Sequence, residues 1–435
     1  MNLLVIPYYN VYPITLGSGI AQIAPLKYLS NYCNIHLAFS EHYTPSLKDI
    51  DSLHEYLPKV KLHYLESSLK KEIRQSVLTL QINKAIFELK KNLTKNKCKR
   101  LKIDTDRMTD FENFFCKYNP YHLHTPDFVE FVKKIINENS IDIVQLEMVE
   151  NLSLITIIPP EVKKVYINHE SRFLHMKSFV KAREMTSKFS DYVTNFNKII
   201  ELGLIKNFDA VISFKESDSQ KIEANIKEES NDLIKTVFAS IPFPVLDSEF
   251  EVLDDVSLSH FNKLIFIGPE EHLPNKDGVE WFISHVANDV YEIFKLPLHV
   301  IGNWSPRTIG KYNVDSSRVK FTGFVENLSE YTKNSICVVP TRIGGGLKTK
   351  ILLSMAKGVP VICTAYALDG IEANHMVDVL IADNKDEFLI AIEFLINNRE
   401  KAISISKNAQ KLVREKYSQL EIAKKRLALY NSLFH

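Results

Sequence analysis

The stretch SICVVPTRIGGGLKTKILLSMAK, residues 335–357, decides the reading of this chain. Ser335–Pro340 has the apolar, β-branched character of a short buried strand, and Leu347–Lys357 has the spacing of a helix. Between them stand Gly344, Gly345 and Gly346. Three residues without Cβ let the backbone approach a ligand closely and reach φ > 0. The helix that follows offers unpaired N–H groups and about half a positive charge from its macrodipole. Lys348 and Lys350 add full charges to that first turn, where cations are disfavoured unless an anion is present. The construction suits a phosphate or diphosphate; a tight turn with solvated lysines is the plainer alternative.

Outward from this point, strand patterns alternate with helical ones, the signature of α/β domains with parallel sheets. In the second half, strands are expected at Lys263–Gly268, Leu298–Ile301, Val319–Phe321, Ser335–Pro340, Val359–Cys363 and Val379–Ile381. The helix Asp277–Phe294 follows the first of these, and three helices near 385–397, 399–416 and 418–434 close the chain. In the first half, strands are expected at Leu3–Ile6, Ile35–Phe39, Ile143–Leu146, Val165–Asn168, Ala210–Ser213 and Thr236–Ala239, with helices at Ile20–Asn31 and Asp127–Asn137. A Lys-rich, helix-prone insertion occupies about 66–135. The acidic, weakly periodic Leu246–Asn262 reads as the interdomain linker. Ligands of open α/β sheets sit beyond the carboxyl ends of the strands, and the glycine run occupies such an end. Two domains facing each other would hold a ligand in the cleft between them.

At 435 residues two domains are expected. A formal net charge of +1 gives no global reason to invoke nucleic acid. The five cysteines include no CxxC pair, so neither a disulfide framework nor a zinc site is indicated, and a reducing cytoplasm is the simplest compartment. Cys337 and Cys363 read as small buried hydrophobes. The N-terminus has no basic segment followed by a long apolar run, and nothing reaches the roughly 18 apolar residues of a membrane helix. Attachment to the inner face of a membrane stays open: Lys84, Lys90, Lys91, Lys95, Lys97, Lys99, Arg100, Lys102 and Arg107 could face anionic lipid, though a solvated helix face is the usual meaning of such a run.

The second half resembles the family 4, or group 1, glycosyltransferases of GT-B fold. The likeness rests on Phe266-Ile267-Gly268, Pro274-Asn275, Val319-Lys320-Phe321-Thr322-Gly323, Pro340 through Thr364, Asp369-Gly370-Ile371 and Asp378 through Asp383. The first half matches more loosely, through Ile167-Asn168-His169-Glu170 and Glu201 with Phe208 through Ser213. The resemblance implies an acceptor-binding Rossmann-like domain over 1–245, a nucleotide-sugar domain over 258–417, and a terminal helix, 418–435, crossing back to the first. It also implies transfer of a hexosyl-type sugar from a UDP- or GDP-linked donor to a glycan or lipid-linked acceptor. Transfer would proceed with retention and without a metal or other cofactor. The Lys-, Asn- and Ile-rich composition hints at an AT-rich bacterial genome, hence surface polysaccharide, capsule or lipopolysaccharide synthesis. A catalytically silent scaffold for another transferase is the alternative.

By the same resemblance, Gly344, Gly345, Gly346, Leu347, Lys348 and Thr349 would hold the donor, with Lys348 and Arg342 neutralising the diphosphate that departs. Lys350 would support the loop. Gly17, Ser18 and Gly19 could add N–H groups. His169, at the end of a strand, would contact the donor sugar, and Glu170 and Arg172 would face the acceptor. Glu201 is either part of the site or a salt-bridge residue, and Asn275 a turn or cap residue. The family's two glutamates are replaced here by Gly345 and Leu353, so ribose must be held otherwise; Glu372 is the substitute on offer. Asp49-Ile50-Asp51 has the spelling of a metal motif but no strand aimed at it. Gly-Leu-Lys-Thr is not an NTPase phosphate loop, which needs glycine directly before the lysine.

Overall fold

A computed structural model describes residues 1–8, 11, 12, 14, 17–40, 46–65, 123–182, 185–229, 235–253, 260–312, 315–344 and 346–435. The chain divides into two compact units. The first comprises residues 1–213, 219–239 and 427–435, and the second residues 214–218 and 240–426. The division at 239/240 falls a few residues before the expected 245, and residues 418–426 count with the second unit rather than the first. Most of the lysine-rich insertion, including all its lysines between 84 and 107, lies outside the described residues.

The first unit is built on β1 (Asn2–Ile6), β2 (Asn34–Ala38), β3 (Val60–His63), β4 (Ile143–Glu147), β5 (Lys163–Asn168), β6 (Ala210–Ser213) and β7 (Val237–Ser240), in the sheet order 3-2-1-4-5-6-7. Its helices include α1 (Gly17–Ile23), α2 (Leu47–Tyr56), α3 (Pro126–Glu138), α4 (Arg172–Ala182) and α5 (Lys188–Ile205). Strands β1, β4 and β5 are buried along almost their whole length, as parallel strands covered on both faces must be. The edge strand β3 was not expected. Its residues Val60-Lys61-Leu62-His63 alternate weakly, and only Val60 is buried.

The second unit carries β8 (Lys263–Ile267), β9 (Leu298–Ile301), β10 (Val319–Gly323), β11 (Ser335–Val339), β12 (Val361–Cys363) and β13 (Leu380–Ile381), in the order 10-9-8-11-12-13. All its pairings are parallel. Helix α6 (Leu273–Phe282) starts four residues before the expected 277 and runs through a π turn at Ile283–Ala287 into a last helical stretch ending at Phe294. Helix α7 is Thr349–Ala356, and α8 (Arg399–Lys416) and α9 (Gln419–Ser432) end the chain. Cys33, Cys337 and Cys363 are buried free thiols.

Both sheets reverse their strand order beside the first strand, at β1/β4 and at β8/β11. At such switch points neighbouring crossovers leave toward opposite faces and open a crevice at the carboxyl ends of the strands. In the second unit that crevice holds Gly268 and the loop from Pro340 to Lys348. In the first it holds the end of β4, at Glu147.

Candidate functional site

In the second unit the glycine loop is shaped by close packing. Gly278 of α6 lies so near the end of β11 that a Cβ there would stand 2.9 Å from the Pro340 carbonyl oxygen. Gly344 has φ +95, and a Cβ on it would meet Pro274 Cγ at 2.4 Å. Glycine is required on both counts. Gly346 has open space where its Cβ would be, so packing does not require glycine there. Gly345 lies outside the described residues.

Lys348 is the N-cap residue of α7 rather than part of its first turn, and it is 6% exposed. Its ammonium curls back to donate to the carbonyls of Gly344 at 2.9 Å and Gly346 at 2.6 Å, and stands 5.5 Å from the Tyr366 ring centre. The Tyr366 hydroxyl donates to the same Gly344 carbonyl at 2.9 Å, and the Thr364 hydroxyl donates to the Thr341 carbonyl at 2.5 Å. The loop is thus wrapped around a buried cation. Leu347 packs near Gly370, where a Cβ would approach it to 3.0 Å, and Thr349 begins α7.

A second ammonium lies behind it. Lys350 donates to Asn275 Oδ1 and stands 4.1 Å from the Phe266 ring centre. Burial pushes it down from 10.5 to about 7, with the neighbouring charge of Lys348 adding to the effect. Asn275 is not the expected turn or cap residue: it sits inside the first turn of α6, whose N-cap is His272, and its Nδ2 donates to the Pro269 carbonyl at 2.9 Å. It therefore ties β8's loop to Lys350. Lys215 adds a third buried ammonium, 3.0 Å from Asp369 and 3.5 Å from Asp218, against Gly370. Neither Lys215 nor Tyr366 was anticipated. The nearest signal was Asp369-Gly370, whose glycine has φ +86 and makes room for Lys215.

Two expected donor residues are engaged elsewhere. Arg342 is exposed and forked onto Asp277, at 3.1 and 3.2 Å from its two carboxylate oxygens, with the guanidinium 5.2 Å over the Trp281 ring. Glu372 is exposed and paired with Lys416 at the end of α8. A surface ion pair of this kind does not by itself mark a ribose site. Leu353 is half-buried on α7. Nearby, burial works to raise the Glu270 carboxyl, but hydrogen bonds from Thr308, Ser305 and Lys276 outweigh it and hold it at about 2. Glu270 thereby staples the loop after β8 to the one after β9.

The corner of the first unit has a different chemistry. His169, just past β5, places Nε2 2.6 Å from Glu147 Oε2, and Glu147 is fully buried at the end of β4 with Gln145 donating to its other oxygen. A carboxylate on one ring nitrogen fixes the imidazole's orientation and favours a proton there. Glu147 was missed in the sequence, although a charged residue closing the apolar run Ile143–Leu146 is a legible signal. Glu170 is paired with His175. Arg172 is not at an acceptor surface: it is 5% exposed, and its Nη2 donates to Glu150 at 2.7 Å. Glu201 is fully buried and accepts from the amides of Arg172 at 3.1 Å and Phe173 at 3.0 Å, at the start of α4. Burial pushes its carboxyl up to about 7 against those hydrogen bonds, so its place is that of a capping group rather than a surface salt bridge. Gly17, Ser18 and Gly19 form the first turn of α1, with the Ser18 carbonyl accepting from Gln22. Asp49 lies in the first turn of α2 and accepts from the cap residue Ser46. Among the described residues no group of three metal-ligating side chains occurs, and no helix is long and apolar enough to cross a membrane.

Residues 262–398 match the family model described as "Glycosyl transferases group 1". The match covers most of the second unit. No curated protein matches the chain in sequence. Solved structures do match it over nearly the whole length. They include HepE of Anabaena in complex with UDP and glucose, at 11% identity, covering 99% of this chain and 100% of that one, TM-score 0.61. Sucrose-phosphate synthase of Thermosynechococcus elongatus matches at 16% identity, covering 100% and 99%, TM-score 0.64. TarM, an S. aureus protein, matches at 13%, covering 99% and 98%, TM-score 0.62. At such identities the likeness is one of fold, and the fold is GT-B. The matched segment contains the glycine loop, Lys348, Lys350, Asn275 and Tyr366, but not Lys215.

Proposed function

We propose that this protein transfers a sugar from a nucleoside-diphosphate sugar to a glycan or lipid-linked acceptor. The observation that carries the reading is the loop at the β8/β11 switch point, folded around the buried ammonium of Lys348 with Lys350 behind it. Two cations held this close repel one another, and an anion between or above them relieves that cost. A diphosphate supplies it. As the bond from the sugar's anomeric carbon to the diphosphate breaks, the electron pair leaves with the phosphate oxygen, and the positive loop stabilises the developing charge. The acceptor oxygen then bonds to the anomeric carbon and gives up its proton to an oxygen of the departing diphosphate. The complex of HepE with UDP and glucose supports a UDP-linked donor.

On this reading no divalent metal is needed, because Lys348 and Lys350 supply the positive charge. His169, oriented by Glu147, contacts hydroxyls of the sugar, and transfer proceeds with retention, as the family resemblance implies. The Lys-, Asn- and Ile-rich composition, which hints at an AT-rich bacterial genome, supports a role in bacterial surface polysaccharide synthesis. Leu353, which offers no carboxylate to ribose, favours the other reading, a silent scaffold for a second transferase. Incubating the purified protein with UDP- and GDP-sugars and simple glycan acceptors separates the two. Release of nucleotide that depends on acceptor supports transfer, whereas ligand-induced stabilisation without turnover supports the scaffold.

A further inference from the structure

Helix α5 buries one face and leaves an aromatic stripe on the other. Ser190, Val193, Asn197, Glu201, Leu202 and Ile205 are buried, with Val193 packing on Met176 and Val180 of α4. On the opposite side Phe189, Tyr192, Phe196 and Ile199 are 60, 61, 38 and 60% exposed. At 100° per residue these four lie within an arc of about 80°. They form one continuous strip: the Phe189 and Tyr192 ring centres are 6.3 Å apart, and Tyr192 and Phe196 stack at 6.0 Å. Scattered exposed apolar residues need no explanation, but an aligned set of this size marks a surface that meets something apolar.

The surrounding charge says what that is. Among the described residues from 173 to 206 the cations are Lys177, Lys181, Lys188, Lys198 and Lys206, and the acids are Asp191 and the buried Glu201. On the helical wheel Lys188 and Lys206 border the stripe directly. Lysine is depleted at protein–protein interfaces. It is drawn to anionic headgroups, while aromatic rings settle at the level of the headgroups with their apolar faces toward the acyl chains. A helix with an aromatic-aliphatic strip edged by lysine is therefore complementary to a negatively charged bilayer surface.

We propose that α5 docks this protein on an anionic membrane, with Phe189, Tyr192, Phe196 and Ile199 inserted at the interface and Lys188 and Lys206 facing the headgroups. This stands independently of the donor site, and it places the protein where lipid-linked acceptors are found.

The test is co-sedimentation of the full chain with phosphatidylcholine vesicles prepared with and without phosphatidylglycerol. Binding is expected only with phosphatidylglycerol and should weaken several-fold on raising the salt. The surface variant Phe189→Ser/Tyr192→Ser/Ile199→Ser and the charge variant Lys188→Glu/Lys206→Glu should each lower the partition by about tenfold or more, with thermal midpoints unchanged. A Tyr192→Trp variant reports insertion directly: its added emission should shift to the blue with anionic vesicles and be quenched by brominated lipid. Absence of phosphatidylglycerol-dependent binding overturns the proposal. So does binding that both variants retain, which would move the contact to another part of the chain. A concentration-dependent dimer abolished by the serine variant, without vesicle binding, would assign the stripe to a second copy of the chain instead.

Discussion

The two units share an architecture and differ in the chemistry at the switch point of their sheets. In the second unit the corner gathers three lysines: Lys348, Lys350 and Lys215 are all held close by side-chain or backbone oxygens. In the first unit the corner holds a carboxylate–imidazole pair, Glu147 with His169, and a second layer of buried acids, Glu150 and Glu201, that secure the start of α4. The same βα arrangement thus yields one corner lined by lysine ammonium groups and one lined by carboxylates and an imidazole. Strand order determines where a corner lies, and a handful of side chains determine what it holds.

The largest effect that could break this contrast belongs to the first unit. His169→Asn should lower turnover by about a hundredfold through misplacement of the sugar and leave the thermal shift produced by UDP unchanged. Equal losses of turnover and UDP binding would mean that the two corners do not divide the work. In the second unit, Lys348→Ala should weaken nucleotide binding about ten- to a hundred-fold, from a charge-assisted hydrogen bond of roughly 1.5–3 kcal/mol. Titration calorimetry with UDP and GDP measures this and identifies the base. A comparison inside the loop sharpens the reading. Gly344→Ala should destabilise the domain by about 1–3 kcal/mol, because of its φ of +95 and the contact with Pro274, whereas Gly346→Ala meets nothing and should leave the thermal midpoint in place.

The smallest effect is a matter of protons. Lys350 is held at about 7 against its ordinary 10.5, so between those values the unfolded chain binds more protons than the folded one. Its contribution to stability therefore grows as pH rises from about 7 toward 10.5. A diphosphate nearby raises the folded value, so UDP binding above pH 7 should take up protons. Calorimetry in buffers of different ionisation enthalpy should show that uptake, and Lys350→Met should remove it. Proton release on binding would place the phosphates away from this ammonium.

Most of the architecture was legible because fully buried parallel strands announce themselves. Ile143–Leu146, Leu298–Ile301 and Ser335–Pro340 are runs of β-branched and aliphatic residues, and each strand lies within a residue of its expected ends. Edge strand β3 was missed because only one of its four residues is buried, which leaves an alternation too short to distinguish from a loop. The site was legible where backbone geometry dictated residue type, as at Gly344. It was less so where partners come from distant sequence. Nothing near Arg342 announces that Asp277 holds its guanidinium, or near Arg172 that Glu150 does. Tyr366 and Glu147 acquire meaning only when the strand order brings β12 beside β11 and β5 beside β4.

The account rests on an anion being held by the loop from Gly344 to Lys348. A crystal structure of the protein with UDP tests that most directly. The account predicts a phosphate oxygen within hydrogen-bonding distance of Lys348 Nζ, at the start of α7. A diphosphate bound at any other place, with the Lys348 ammonium still directed at the Gly344 and Gly346 carbonyls, would contradict it.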